Sequence, residues 1–166
     1  RLTKGNIALI LVLEEVSSEM AHIQPKRICI ANTHVYWDPQ FTDVKLWQSW
    51  ILCQEISKLV LQRHLPLILC GDFNSVPSSA VYKLLTSKSI DKKMHEELVA
   101  KYGQLCIIPT IQELNHNLSL KSSYKIEPTF TNYTQQYKGT LDYILYSNSS
   151  LKCCGYLKEP NETELS

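Results

Sequence analysis

Between Pro66 and Pro77 the chain reads Leu67-Ile68-Leu69-Cys70-Gly71-Asp72-Phe73-Asn74-Ser75-Val76, and no other stretch restricts the fold as much. The apolar run Leu67 to Cys70, bounded by a proline and a glycine, has the length and texture of a strand buried on both faces. Gly71 lets the backbone bend where a side chain would clash. Asp72 and Asn74 stand at alternate positions, so in an extended segment both point the same way off the strand's carboxyl end. Ser75 and Pro77 are turn residues. A carboxylate and a carboxamide held together there can orient a water and hydrogen-bond a phosphate. On spacing alone they fit equally an Asx-rich turn after a core strand.

The preceding segments lead to the same edge. Ile28 to Thr33 reads as a strand ending in His34. From Thr42 to His64 the apolar residues Val44, Trp47, Ile51, Leu52, Ile56, Leu59 and Val60 recur at three- and four-residue steps, one face of a helix packed on a sheet. Thr42 is the expected N-cap, Asp43 suits the positive end of the dipole, and Pro66 forces the stop. Strand, helix and strand make one crossover unit that delivers His34 and Asp72 together. Ile7 to Leu13 is another unbroken apolar run, expected to be a central strand covered on both faces, with Val16 to Lys26 as a hairpin connection. Little precedes that run, so the chain reads as an excerpt.

Downstream, Ser78 or Ser79 is expected to open a short helix through Tyr82, Leu84 and Leu85, and Asp91 to Lys101 a charged, exposed one. Gly103 to Glu127 shows no clear period and reads as loop, with His116 a solvated histidine. Leu141 to Tyr146 reads as a strand with Asp142 on one face. A carboxylate in an apolar strand is costly to bury unless paired, and a backbone amide or Lys138 is the expected partner.

Composition narrows the function classes. The 166 residues are 44% hydrophobic and 20% charged, enough for one domain with a real core, and no apolar run approaches the ~18 residues of a membrane span. A net charge of +1 excludes nonspecific polycationic nucleic-acid binding, so any such partner is held locally. Cys29, Cys53, Cys70, Cys106, Cys153 and Cys154 form no C-x-x-C pair. They are expected to be reduced structural thiols of a cytosolic or nuclear protein, without zinc or disulfides. Asn117, Asn132, Asn148 and Asn161 open N-x-[ST] sequons. The Arg1-Leu2-Thr3-Lys4 start is not a signal peptide, and glycosylation is not expected.

Three motifs carry a family resemblance. Gly71-Asp72-Phe73-Asn74-Ser75-Val76-Pro77 resembles the signature loop of the endonuclease/exonuclease/phosphatase superfamily, metal-dependent phosphodiester hydrolases. Asn32-Thr33-His34-Val35-Tyr36-Trp37-Asp38-Pro39 resembles the Asn-Thr-His-x-x-Trp-Asp-Pro segment of the carbon catabolite repressor type poly(A) deadenylases. Generic superfamily phosphatases and repair endonucleases do not share its Trp-Asp-Pro part. The segment from Thr131 to Ile144 resembles their Thr-Asn-Tyr-Thr-x-x-Phe-Lys-Gly-x-x-Asp-Tyr-Ile, spacing included. The resemblance runs from Asn6 to about Gly155 and covers roughly the second half of that family's nuclease domain.

The resemblance implies an α/β fold, part of a four-layer α/β/β/α sandwich of two packed mixed sheets flanked by helices. Residues 1–166 would be a partial nuclease domain, incomplete at both ends. It implies a Mg²⁺-dependent 3′-5′ exoribonuclease that shortens mRNA poly(A) tails and releases 5′-AMP. Asp72 would orient or deprotonate the attacking water, Asn74 would hold the scissile phosphate or terminal adenosine, and His34 would contact the phosphate. Asp142 would position the histidine of a Ser-Asp-His motif, which this chain does not contain. Pro39 and Tyr137 would sandwich the terminal adenine, with Asn132 adding polar contacts; Tyr137 replaces the usual phenylalanine. Mg²⁺ would polarise the phosphoryl oxygen and stabilise the leaving 3′-oxygen. Its main ligand, a glutamate, is expected upstream, and no residue here is assigned to the metal.

Expected partners are poly(A) RNA and deadenylase-complex subunits docked through regions outside this chain, with no membrane. The expected site of action is the cytoplasm, and also the nucleus. These 166 residues alone are expected to be inactive and to expose an apolar face. Two alternatives stand beside this reading: a same-fold 2′,5′-phosphodiesterase or nucleotide phosphatase, and a catalytically dead RNA-binding or assembly module.

Overall fold

The computed structural model describes residues 4–16, 26–108 and 114–157; most of the connection expected over 16–26 lies outside them. The elements in chain order are β1 (Ala8–Glu14), β2 (Arg27–His34), α1 (Thr42–Arg63), β3 (Leu67–Asp72), α2 (Ala80–Ser87), α3 (Lys92–Tyr102), a 3₁₀ turn (Gly103–Leu105), β4 (Leu120–Ser122), β5 (Asn132–Tyr133), β6 (Lys138–Gly139) and β7 (Asp142–Ser147). The fold is α/β. A five-stranded mixed sheet runs β1-β2-β3-β7-β4, and β5 and β6 form a separate hairpin. Parallel pairing of β2 with β3, joined through α1, is the crossover that the alternation of apolar runs and helical period predicts.

The core lies between one sheet face and the helices. Cys29, Ala31, Leu67, Leu69 and Leu145 point into it, together with Leu52, Ile56 and Val60 of α1 and Leu84 and Leu85 of α2. Ser79 caps α2 by accepting from the Tyr82 amide, and Asp91 caps α3 by accepting from the Met94 amide.

Several expectations are corrected. The run from Ile7 to Leu13, expected to be central, forms β1 at the edge of the sheet built by the described residues, and Leu9, Leu11 and Leu13 are exposed, as expected of residues 1–166 taken alone. Phe41, not Thr42, occupies the N-cap of α1 and makes no side-chain cap. The Thr42 hydroxyl instead meets the Tyr102 hydroxyl at 2.7 Å. The buried face of α1 is rotated from the expected stripe: Leu46 and Cys53 are inside while Ile51 is exposed. The segment from Gly103 to Glu127 is not loop throughout, since it holds the 3₁₀ turn and β4.

His116 is not solvated. It is 3% exposed, its Nε2 lies 2.9 Å from the Leu84 carbonyl, and the Leu118 amide donates to its Nδ1 at 3.1 Å.

Candidate active site

The carboxyl ends of β2 and β3 place the first site residues. Their parallel register pairs His34 with Asp72, and the antiparallel register of β3 and β7 pairs Asp72 with Asp142. Directly opposed residues share a sheet face, so His34, Asp72 and Asp142 form one row across three strands. His34 Nε2 lies 3.6 Å from Asp72 Oδ2. Gly71 makes this junction possible. Its φ is +140°, and a Cβ built there would stand 2.0 Å from the Thr33 carbonyl oxygen.

Beyond Asp72 the chain turns on itself. The Asn74 amide donates to Asp72 Oδ1 at 2.7 Å, and Asn74 takes the left-handed φ of +47° that asparagine tolerates. Its side-chain Nδ2 donates to the Val35 carbonyl at 2.8 Å, tying the loop to the end of β2. Burial pushes the Asp72 carboxyl above the ordinary carboxylate range, and the charge of Asp142 adds to this. The Asn74 amide, His34 and Lys45 oppose the shift. A carboxylate so raised is a better proton acceptor than a solvated one.

Asp142 is exposed, and its partner is the Thr131 hydroxyl rather than the expected backbone amide or Lys138. The Thr131 hydroxyl donates to Asp142 Oδ2 at 2.6 Å and accepts from the Leu141 and Asp142 amides at 3.0 Å each.

The residues expected to bind substrate converge. Pro39, Asn74, Asn132 and Tyr137 line one cavity of about 490 Å³, with Trp37 and Lys45 also in its wall. Asn132 lies on β5 and Tyr137 just ahead of β6, in a turn held by Thr134, whose amide donates to the Tyr137 carbonyl at 2.8 Å. His34, Asp72 and Asp142 do not line that cavity, but Asn74 reaches both. Burial and then the charge of Asp72 raise the Tyr137 phenol pKa, so the ring lies within the field of the row.

Two contributors escaped the sequence reading. Thr131 precedes the hairpin, and nothing in its spacing marks it as the anchor of Asp142. Lys45 lies on the same helical face as Ser49, Leu52 and Ile56, a charge on a buried stripe; that was a visible signal. Among the described residues no group of three or more His, Cys, Asp or Glu side chains could hold a metal ion. The row therefore does not by itself make a metal centre.

Residues 12–163 match the Endonuclease/Exonuclease/phosphatase family, and the chain belongs to it. Within that family it is similar to the CCR4-Not complex 3′-5′-exoribonuclease subunit of Schizosaccharomyces pombe, at 33% identity over 99% of this chain and 26% of that protein. It is also similar to Carbon catabolite repressor protein 4 homolog 1 of Arabidopsis thaliana, at 36% identity over 99% of this chain and 31% of that protein. The chain thus spans about a quarter to a third of these relatives. Among solved structures, the human Nocturnin catalytic domain superposes with a TM-score of 0.60 at 26% identity, covering 87% of this chain and 42% of that one. ANGEL2, a 2′,3′-cyclic phosphatase, gives 0.66 at 27% identity, covering 86% and 49%.

Proposed function

We propose that the protein carrying this chain is a 3′-5′ exoribonuclease that removes adenylates from RNA 3′ ends and releases 5′-AMP. The observation that carries the reading is the single cavity in which Pro39, Asn132 and Tyr137 meet Asn74 of the Asp72 loop. A terminal base stacks against the flat faces of Pro39 and Tyr137, and Asn132 offers the edge contacts that stacking alone cannot provide. With the base held there, the phosphate on its 5′ side falls toward Asn74 and the row of His34 and Asp72. Asp72 accepts a proton from the water that attacks phosphorus. The 3′-oxygen of the preceding nucleotide departs with its electron pair, and His34 faces the charge that develops on the phosphate.

Mg²⁺ belongs to this proposal as the ion such chemistry commonly uses, held largely through substrate and water. Complex subunits are proposed as partners because a relative is a subunit of the CCR4-Not complex, and a cytoplasmic, also nuclear, place of action is proposed from the free thiols.

The test is a 5′-labelled oligoadenylate incubated with the protein and Mg²⁺, with and without chelator. Stepwise shortening from the 3′ end, much faster than for oligouridylate and lost in Asp72→Ala, is expected. Equal rates on both polymers would overturn the adenine pocket. The likeness to ANGEL2 supports a second reading, hydrolysis of a terminal 2′,3′-cyclic phosphate. An oligoadenylate bearing that end separates the two, because only the second reading opens the ring without shortening the chain.

A further inference from the structure

Lys45 is a buried cation beside the site that the chemistry above leaves unused. It is 4% exposed on the first turn of α1, and lysine is almost never buried without a reason. Its Nζ donates to the Asn74 backbone carbonyl at 2.8 Å. It also forms part of the wall of the cavity that holds Pro39, Asn132 and Tyr137. Burial lowers its pKa; the carboxylates of Asp38 and Asp72 work against that, and Lys101 adds to the lowering. The ammonium is thus bonded to the loop that carries Asp72 and Asn74, while the Lys45 amide donates to the Phe41 carbonyl at 3.1 Å, where α1 leaves the loop that carries Asp38 and Pro39.

We infer that Lys45 is a positioning residue that joins the base-binding loop to the hydrolytic loop, so that a base seated against Pro39 places its phosphate at Asp72. The inference rests on the nuclease reading and deepens it. The groups facing Asp72 are His34, Asp142 and Lys45, with Tyr137 within its field. Among these Lys45 works in two ways. Through the Asn74 carbonyl it holds the turn whose amide binds Asp72, and through its charge it favours the ionised carboxylate. Methionine loses both effects, glutamine keeps a donor but loses the charge, and arginine keeps the charge.

Lys45→Met, Lys45→Gln and Lys45→Arg are compared with the parent protein on oligoadenylate. In the Met and Gln variants kcat is expected to fall roughly 10- to 100-fold, the scale of a small misplacement of a reacting group. The acid limb of the pH–rate profile should move to higher pH, because Asp72 without the nearby cation holds its proton longer. Lys45→Arg should return the limb toward its original place. A merely structural role would lower the melting temperature and the active fraction while leaving the limb where it was, and that result overturns the inference. Should the parent shorten no oligoadenylate, the nuclease reading fails on its own. The titration midpoint of the Asp72 carboxyl carbon, followed by NMR, then decides: an upward shift in Lys45→Met or Lys45→Gln supports the positioning role, and an unmoved midpoint sinks it.

Discussion

Three residues show how little tolerance the site has. At Gly71 a Cβ would strike the Thr33 carbonyl at 2.0 Å, and φ is +140°. Gly71→Ala should therefore cost more than about 1 kcal/mol of stability, read as a lower urea midpoint with an unchanged slope. Tyr137 is the stacking face. Tyr137→Ala should cost about 1–3 kcal/mol in kcat/KM on adenylate, and Tyr137→Phe little, because the ring remains. Gly139 tests the same ring from outside. A Cβ there would meet the Tyr137 hydroxyl at 2.4 Å, the far end of a side chain that can move away. Gly139→Ala should leave the melting curve nearly in place while raising KM, since the displaced ring no longer faces Pro39. An unchanged KM would show that Tyr137 is not a stacking surface.

At the scale of elements, the segment 114–118 is fastened to the helices by polar contacts that no periodicity foretells. The Asn115 carbonyl accepts from Trp50 Nε1 at 3.1 Å and from Gln54 Nε2 at 2.6 Å on α1. Because Nδ1 of His116 accepts from the Leu118 amide, Nε2 carries the hydrogen that it donates to Leu84, and the neutral ring satisfies both contacts. A second proton would set Nδ1–H against the Leu118 N–H. Burial first, and then the charge of Lys88, push the His116 pKa below its ordinary value, while the Leu84 carbonyl opposes them. The folded chain thus disfavours the charged form. This contribution to stability is complete above the unfolded pKa of about 6.5 and is lost as pH falls from there through the folded value. Thermal melts at about pH 7.5 and about pH 5.5 should show a drop that shrinks in His116→Gln, although that variant melts lower at both. An equal drop in parent and variant would rule His116 out as its source.

At the scale of the molecule, the sheet has two unlike faces. One is packed under α1 and α2. On the other, Leu9, Leu11 and Leu13 of β1 stand opposite Asn32, Ile30 and Ile28 of β2, and Ile30 opposite Ile68 of β3. Ile144 of β7 joins the same face beside Cys70. Leu9, Leu11, Leu13 and Ile144 are exposed, and no described element covers them. Contiguous apolar patches of this kind promote association. Residues 1–166 expressed alone should elute above monomer size, and Leu11→Lys with Ile144→Lys should shift the chain toward monomer. A parent chain that elutes as a monomer would contradict this.

Local rules sufficed for β2, β3 and β7, the crossover and the meeting of His34 with Asp72, because a strand–helix–strand unit with these lengths has essentially one way to pack, but not for the short strands β4, β5 and β6. Helix starts at Ser78 or Ser79 and at Asp91 follow from the same short-range chemistry, and the structure makes Ser79 and Asp91 the caps. Recognition of the Trp37-Asp38-Pro39 and Asn132-to-Tyr137 segments singled out residues that the structure gathers around one cavity. What the sequence could not decide depends on contacts between distant segments. Which strands pair with β2, β3 and β7, and in what order, is set by tertiary contacts and not by the composition of any one strand. His116 is buried because α2 offers a carbonyl to it, Asp142 is exposed because it shares with Ile144 the sheet face that no described element covers, and Lys45 matters because Asn74 turns its carbonyl inward. Apolar periodicity tells a side chain which way to face; only tertiary packing decides what it faces.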